Sequence, residues 1–277
     1  MEPVTRKLTA PMWLIMLGGL YWLWSNALIG PELLVGLAAC HLICAIIFYH
    51  FIYVFNYGYA ATMIVMPLLY GLSNNPSFPS ICILALVILY GLRLLGFTWR
   101  RYHSDSYAEH ARRATEAGKA IPAPIKVITW LFTSSLMFFI SFNSWVVASS
   151  GHIHTTVWAA LTVMIGGLAI ETIADNHKQR FKKSDKEGLC QTGLFRTIRY
   201  PNYLGEIIFH LGLYWALVSA TDQLYPLILG SFGTGWILIL MCDEAVTRDR
   251  AKQAQTGDND IFIEYRERTG LLLPKLF

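Results

Sequence analysis

Charged residues are missing from three long stretches of the chain, and this restricts what it can fold into. Residues 8–31 contain no Asp, Glu, Lys or Arg. Residues 33–92 make a second such run of 60 residues, and 127–170 a third of 44. A helix needs about 20 apolar residues to cross a bilayer, so these runs hold several crossings. Composition agrees: 14% of residues are charged, against about a quarter in soluble domains. The 55% hydrophobic content excludes intrinsic disorder, and five cysteines in 277 residues do not make a disulfide scaffold. The expected fold is all-α, a polytopic membrane protein whose first span can serve as its own targeting signal.

Breakers divide the runs. Gly30-Pro31 separates a first helix near 10–29 from a second near 33–55. A shorter apolar piece, 59–72, contains Pro67 and ends at Ser73-Asn74-Asn75-Pro76. Further helices are expected near 81–97, 128–148, 157–174, 204–220 and 224–241. The total is seven or eight, depending on whether 59–72 crosses. Residues 114–124 read as a surface loop, and no repeat is visible. Residues 1–98 form an N-terminal helical part, and 99–277 a second part with the polar loops.

The basic residues orient these spans. Of the 22 Lys and Arg, six lie in 99–126, seven in 175–203 and six beyond 243. The intervening loops carry none. The positive-inside rule places the three basic segments and the C-terminus in the cytoplasm. Eight spans would put the N-terminus there too, as Arg6 and Lys7 favour; seven would put it outside.

Most of this charge needs no function beyond topology. Two features go further. Arg93 sits within an apolar helix, where an ionisable side chain faces a bundle interior, a cavity or an anion, or else snorkels to the interface. The second feature surrounds Pro201, which is suited to the first position of a helix. It would place Asn202, Tyr203 and Glu206 within about a turn of one another, free to face one pocket. Gly205 beside them permits a close approach. Lys178, Lys182, Arg196 and Arg199 converge on the same helix mouth, a grouping suited to phosphates. Alternatively, Glu206 pairs with Arg199 or a Lys and ties two helices together.

Other groupings carry less. His152 and His154 form a loop pair on the face opposite the basic segments. Cys40 and Cys44 are one turn apart in an apolar helix and read as packing residues. His41 and His50 lack ligand spacing. There is no phosphate-binding glycine loop, zinc motif or Ser-His-Asp signature. The basic loops lack the interleaved aromatics of a nucleic-acid platform, so no nucleic acid is expected; nor is an obligatory protein partner.

The stretch 171–206, ETIADNHKQRFKKSDKEGLCQTGLFRTIRYPNYLGE, resembles the C-terminal half of the steroid 5α-reductase family, and more distantly the sterol C14 reductases. The shared pattern is an acidic residue, a cation-rich turn, Gly-Leu-aromatic, then Arg-x-Pro-Asn-aromatic-x-Gly-Glu. The ending, Glu264-Tyr265-Arg266-Glu267-Arg268-Thr269 with Leu273-Pro274 and Phe277, is similar, as is Tyr90-Gly91-Leu92-Arg93-Leu94. The resemblance covers about 85–277. Its Arg-x-Pro-x-Tyr-x-Gly core is shared with isoprenylcysteine carboxyl methyltransferases and phospholipid methyltransferases. Tyr200 stands where many relatives have His. The early Gln-Glu pair of the animal enzymes is absent, with Asn56-Tyr57-Gly58 near its place.

The resemblance implies NADPH as reductant and a lipophilic enone, such as a 3-oxo-Δ4 steroid, as substrate. It implies a cofactor site lined by Asp175, Lys178, Lys182, Arg196, Arg199, Asn202, Tyr203 and Glu206, with Arg93, Arg100, Arg248 and Tyr265 adding to it. Tyr90 would be the acid meeting the carbonyl oxygen, or else an interfacial belt tyrosine. Asn56 and Tyr57 are candidates for a second polar group. Trp13, Trp22, Trp24, Met63 and Met66 would line a cavity open to membrane lipid, or simply face lipid. One rival reading is an S-adenosylmethionine-dependent membrane methyltransferase. Another is a non-enzymatic lipid binder.

Overall fold

The computed structural model describes residues 4–51, 53–104, 107–185, 188–256 and 260–275. Lys186 and Phe277 lie outside the described residues, as does the side chain of Arg6. The described chain is helical, with ten α-helices: α1 (Val4–Ser25), α2 (Pro31–Cys44), α3 (Tyr59–Ser73), α4 (Phe78–Tyr102), α5 (Ala108–Lys119), α6 (Ala123–Ser149), α7 (Val157–Ser184), α8 (Pro201–Ala220), α9 (Leu224–Thr256) and α10 (Asp260–Arg268). Pro31, Pro79, Pro124 and Pro201 open α2, α4, α6 and α8, at positions whose N–H has no helical partner to lose.

Six segments are long and apolar enough to cross a membrane: Pro31–Phe48, Phe78–Tyr102, Ala123–Ser149, Val157–Ser184, Pro201–Ala220 and Leu224–Gln255. α1 adds 22 residues. The short apolar piece becomes α3, and a five-residue π turn, Val54–Gly58, runs straight into its 15 residues. Together they reach about 30 Å at ~1.5 Å per residue. Pro67 is accommodated inside α3, as neighbouring helices permit in membrane bundles.

Contacts at the two ends give the path. Asn56 near the start of α3 donates to the Tyr102 hydroxyl at the end of α4 (2.9 Å). Trp130 early in α6 donates to the His41 carbonyl late in α2 (2.8 Å). At the far end, Ser150 after α6 donates to the Ala220 carbonyl closing α8 (2.8 Å), and Trp22 late in α1 packs against Tyr225 opening α9 (5.5 Å between centroids). The described helices α1 to α4 and α6 to α9 therefore make eight passes along the bundle, six of them in the segments long and apolar enough to cross a membrane. The Thr5 hydroxyl, in the first turn of α1, donates to Asp243 of α9 (2.6 Å). The start of α1 thus sits at the end that carries the basic segments.

One correction concerns 114–124. Residues up to Lys119 belong to α5, whose Arg112 bridges Glu109 and Glu116 (2.9 and 2.8 Å) at helical spacing.

The interior is apolar, with Tyr90, Phe138, Phe139, Phe142 and Phe209 fully buried. The outer surface is apolar as well: Leu14, Leu42 and Leu72 are 70%, 79% and 87% exposed, as befits a lipid-facing wall. α7 and α8 are packed backbone to backbone. A Cβ on Gly205 would stand 2.6 Å from the Glu171 amide nitrogen and 2.7 Å from the Gly167 carbonyl oxygen. After α10 the chain folds back on 197–200, where the Arg199 amide donates to the Gly270 carbonyl (2.9 Å) and the Gly270 amide to the Thr197 carbonyl (3.1 Å).

Candidate functional site

Four helices bring their polar residues to one place within the bundle. Each of three helices contributes a pair spaced by about one turn, so that both members share a face: Tyr90 and Arg93 on α4, Glu171 and Asp175 on α7, Glu206 and His210 on α8. The fourth helix, α3, contributes Tyr59. Arg93 is the tie. Its Nη1 donates to Glu171 Oε1 (2.5 Å) and its Nη2 to Asp175 Oδ2. A buried charge is tolerated when paired, and a planar guanidinium can fork to two carboxylates. Glu171 Oε2 is buried and has no hydrogen-bond partner among the described residues.

Tyr90 is 0% exposed, and Phe209 stacks on its ring at 4.2 Å between centroids. Its hydroxyl lies 3.3 Å from the Tyr59 hydroxyl. The Tyr59 hydroxyl in turn lies 2.6 Å from His210 Nε2. Glu206 stands beside both tyrosine hydroxyls. The result is a row of hydroxyl, hydroxyl and imidazole inside an apolar shell, next to carboxylates. Such a row can donate a hydrogen bond to a ligand oxygen with little reorganisation.

Toward the basic end lies a cavity of about 280 Å³. Lys178, Lys182, Arg199, Arg248, Lys252, Tyr200 and Tyr265 are on its wall, with Asp249 among them. Lys178 links it to the buried cluster, since it stands beside Asp175. Its ammonium lies 5.9 Å from the centroid of the Phe195 ring. Several cations around one opening suit a ligand with more than one phosphate. No group of His, Cys, Asp and Glu suited to a metal ion occurs among the described residues.

The residues singled out in the sequence fall into three groups. Lys178, Lys182, Arg199, Arg248 and Tyr265 line the cavity; Tyr90, Arg93, Asp175 and Glu206 belong to the buried cluster. Between them, Asn202 turns a buried Oδ1 that has no partner among the described residues, and Tyr203 stacks on Tyr200 with rings 8° apart. Two of the cavity residues also hold the tail. Arg199 meets Asp249 (2.8 Å) and donates to the Thr269 carbonyl (2.6 Å), so it ties the tail to α9 rather than pairing with Glu206. Tyr265 donates to the Phe195 carbonyl (2.8 Å), and burial pushes its hydroxyl up to about 12, which keeps it a donor.

The third group lies apart from the buried cluster. Arg196 is exposed. Arg100 is exposed and folds back on the Gly96 carbonyl (3.2 Å). Asn56 and Tyr57 sit in an aromatic nest with Tyr53 and Tyr102 at the basic end.

Sequence reasoning gave no role to Tyr59, Glu171, His210 and Arg101. His210 had a signal, since it lies one turn beyond Glu206 in an apolar helix. Glu171 had the same relation to Asp175. Arg101 stacks over Tyr107 at 4.5 Å and contributes to the positive field at Lys178.

A family model described as "Protein of unknown function (DUF1295)" matches residues 49–269, which takes in every residue of the cluster and the cavity. No curated protein matches the chain.

Proposed function

The chain belongs to the DUF1295 family of proteins of unknown function, and from that premise we propose an NADPH-dependent membrane reductase that saturates the carbon–carbon double bond of a lipid enone, a 3-oxo-Δ4 steroid being the type. The DUF1295 family is related to the steroid 5α-reductases, in keeping with the resemblance carried by 171–206. One observation carries the reading: a fully buried tyrosine hydroxyl, Tyr90, held in a polar row, with a cation-walled cavity whose Lys178 stands about one helical turn from Asp175 of the same buried cluster.

The residues fit such a cofactor. Lys178, Lys182 and Arg248 would face its phosphates, and the unpartnered Asn202 Oδ1 could accept from a carboxamide or a ribose hydroxyl. Bound NADPH would supply a hydride. The remaining chemistry belongs to the chain. As hydride reaches the β carbon of an enone, the π electrons move onto the carbonyl oxygen. Tyr90 donates its proton to that oxygen, where preorganised donors are most effective. The α carbon then takes a proton from water while the enol O–H returns its proton to Tyr90, and the carbonyl re-forms. Arg93, fixed by Glu171 and Asp175, holds α4 against α7 and so keeps Tyr90 in register. The apolar shell around Tyr90 and Phe209 excludes water and admits a hydrocarbon skeleton.

The test is thermal stability of the detergent-purified protein with NADPH, NADH or S-adenosylmethionine, since a ligand that binds the folded state raises its melting temperature. The reading expects stabilisation by NADPH and enone reduction by wild type. Tyr90→Phe should keep the NADPH shift while losing roughly 10²- to 10³-fold in turnover, the usual effect of removing one such donor. Stabilisation by S-adenosylmethionine alone would transfer the protein to methyl transfer. Stabilisation by neither would leave a lipid binder.

A further inference from the structure

We propose that Tyr59 and His210 act as a positioning pair that fixes the direction of hydrogen bonding at Tyr90, with His210 Nε2–H donating to Tyr59 and Tyr59 donating to Tyr90. The inference rests on the reductase reading and assigns two residues that the resemblance does not.

The direction follows from counting protons. A tyrosine hydroxyl has one proton to donate and lone pairs with which to accept. To donate to a carbonyl oxygen, Tyr90 must accept, not donate, in its 3.3 Å contact with Tyr59. Tyr59 has then committed its only proton. The 2.6 Å contact between the Tyr59 oxygen and His210 Nε2 must therefore be donated by the imidazole. A neutral His carries its proton on one of two nitrogens, so the row needs the Nε2–H tautomer. Reversed, with Tyr59 donating to His210, the row would leave the Tyr90 oxygen without a donor at the moment its proton departs.

The surroundings support this role. Tyr59 and His210 are 7% and 1% exposed, come from α3 and α8, and stack with rings 25° apart, so neither can turn freely to water. Glu206 beside both hydroxyls is an acceptor when ionised and competes for their protons; a donor from His210 removes the imidazole from that competition and leaves Tyr90 and Glu206 as the acceptors open to Tyr59. During the reaction the Tyr90 proton goes to the substrate oxygen. The resulting phenolate is held by the Tyr59 hydroxyl until the enol O–H returns its proton to Tyr90, the α carbon taking its proton from water.

The experiment measures kcat, KM for a 3-oxo-Δ4 steroid and the NADPH-induced thermal shift for wild type, Tyr59→Phe, His210→Leu and His210→Gln. Tyr59→Phe removes one oxygen and should lower kcat roughly 10- to 100-fold with KM and the NADPH shift little changed. His210→Leu should fall by about tenfold. His210→Gln keeps an N–H near the imidazole Nε2 position and should recover most of that loss, which a packing role would not predict. Wild-type turnover with Tyr59→Phe within about twofold of it overturns the inference alone. So does a His210→Gln variant as slow as His210→Leu. Wild type that reduces no enone overturns the parent reading and the inference with it.

Discussion

Arg93 holds one positive charge between two buried carboxylates, and the consequences of removing it can be ranked. Arg93→Gln leaves Glu171 without its counter-charge and Asp175 with only Lys178 nearby, and breaking a buried pair from one side costs about 3–5 kcal/mol. Its melting temperature in detergent should fall sharply. The triple variant Arg93→Gln/Glu171→Gln/Asp175→Asn replaces the charges by amides of similar shape and should recover most of the loss. Equal instability of the single and triple variants would mean that Arg93 acts by packing rather than by charge. The sequence showed an arginine in an apolar helix but not what it met. Its partners lie 78 and 82 residues away, a separation that local spacing does not encode. Glu206, Asn202 and Tyr90 stood out because each sits in a recognisable motif. Tyr59 belongs to an apolar helix with no motif and His210 had only its spacing from Glu206, so it is three-dimensional packing that joins them to Tyr90.

The helices that carry the cluster are held in register by their smallest residues. At Gly205 and Gly167 the backbones of α7 and α8 meet with no room for a side chain; a Cβ on Gly167 would lie 2.5 Å from the Phe209 amide nitrogen. Gly205→Ala must force the helices apart, a form of overpacking that costs roughly 1–3 kcal/mol. It should also lower turnover, because Glu171 and Asp175 on α7 would shift against Glu206 and His210 on α8. Gly166→Ala, one residue from Gly167 on α7, is the control. No atom lies within 4 Å of its Cβ site, and Ala favours a helix by about 1 kcal/mol over Gly. Gly166→Ala should keep or raise the melting temperature, and a loss equal to that of Gly205→Ala would refute the close-approach argument. Gly205 was legible as a point of close approach, and Gly30-Pro31 and Ser73-Asn74-Asn75-Pro76 placed the break before α2 and the end of α3. The apolar limits set at 55, 174 and 241 missed the end of α2 at Cys44 and the charged ends of α7 and α9 at Ser184 and Thr256. The π turn that lengthens α3 was not legible, because Asn56 and Gly58 fall where the sequence reads as a break between 55 and 59, and a change of helical period leaves no mark in composition.

At the scale of the whole molecule, one contact decides the parity of the crossings. The Thr5 hydroxyl, at the start of α1, reaches Asp243 on the part of α9 that leads to Arg248 and the tail. Both ends of the transmembrane path therefore lie on one face of the membrane, which requires an even number of crossings. α3 with its π turn supplies the eighth. From the charge distribution we propose that this face is cytoplasmic, a prediction separable from parity. Protease sites placed ahead of α1 and after α10 should be cleaved in vesicles of the same orientation, and a site inserted at Gly151 in the opposite orientation. Cleavage of the two ends from opposite faces would demand an odd count, pull Thr5 away from Asp243 and leave α3 short of the far interface. Cleavage of both ends only from outside would keep the eight crossings but reverse them, and would move the cation-walled cavity away from the cytoplasmic pool of nucleotide that the proposed reduction draws on.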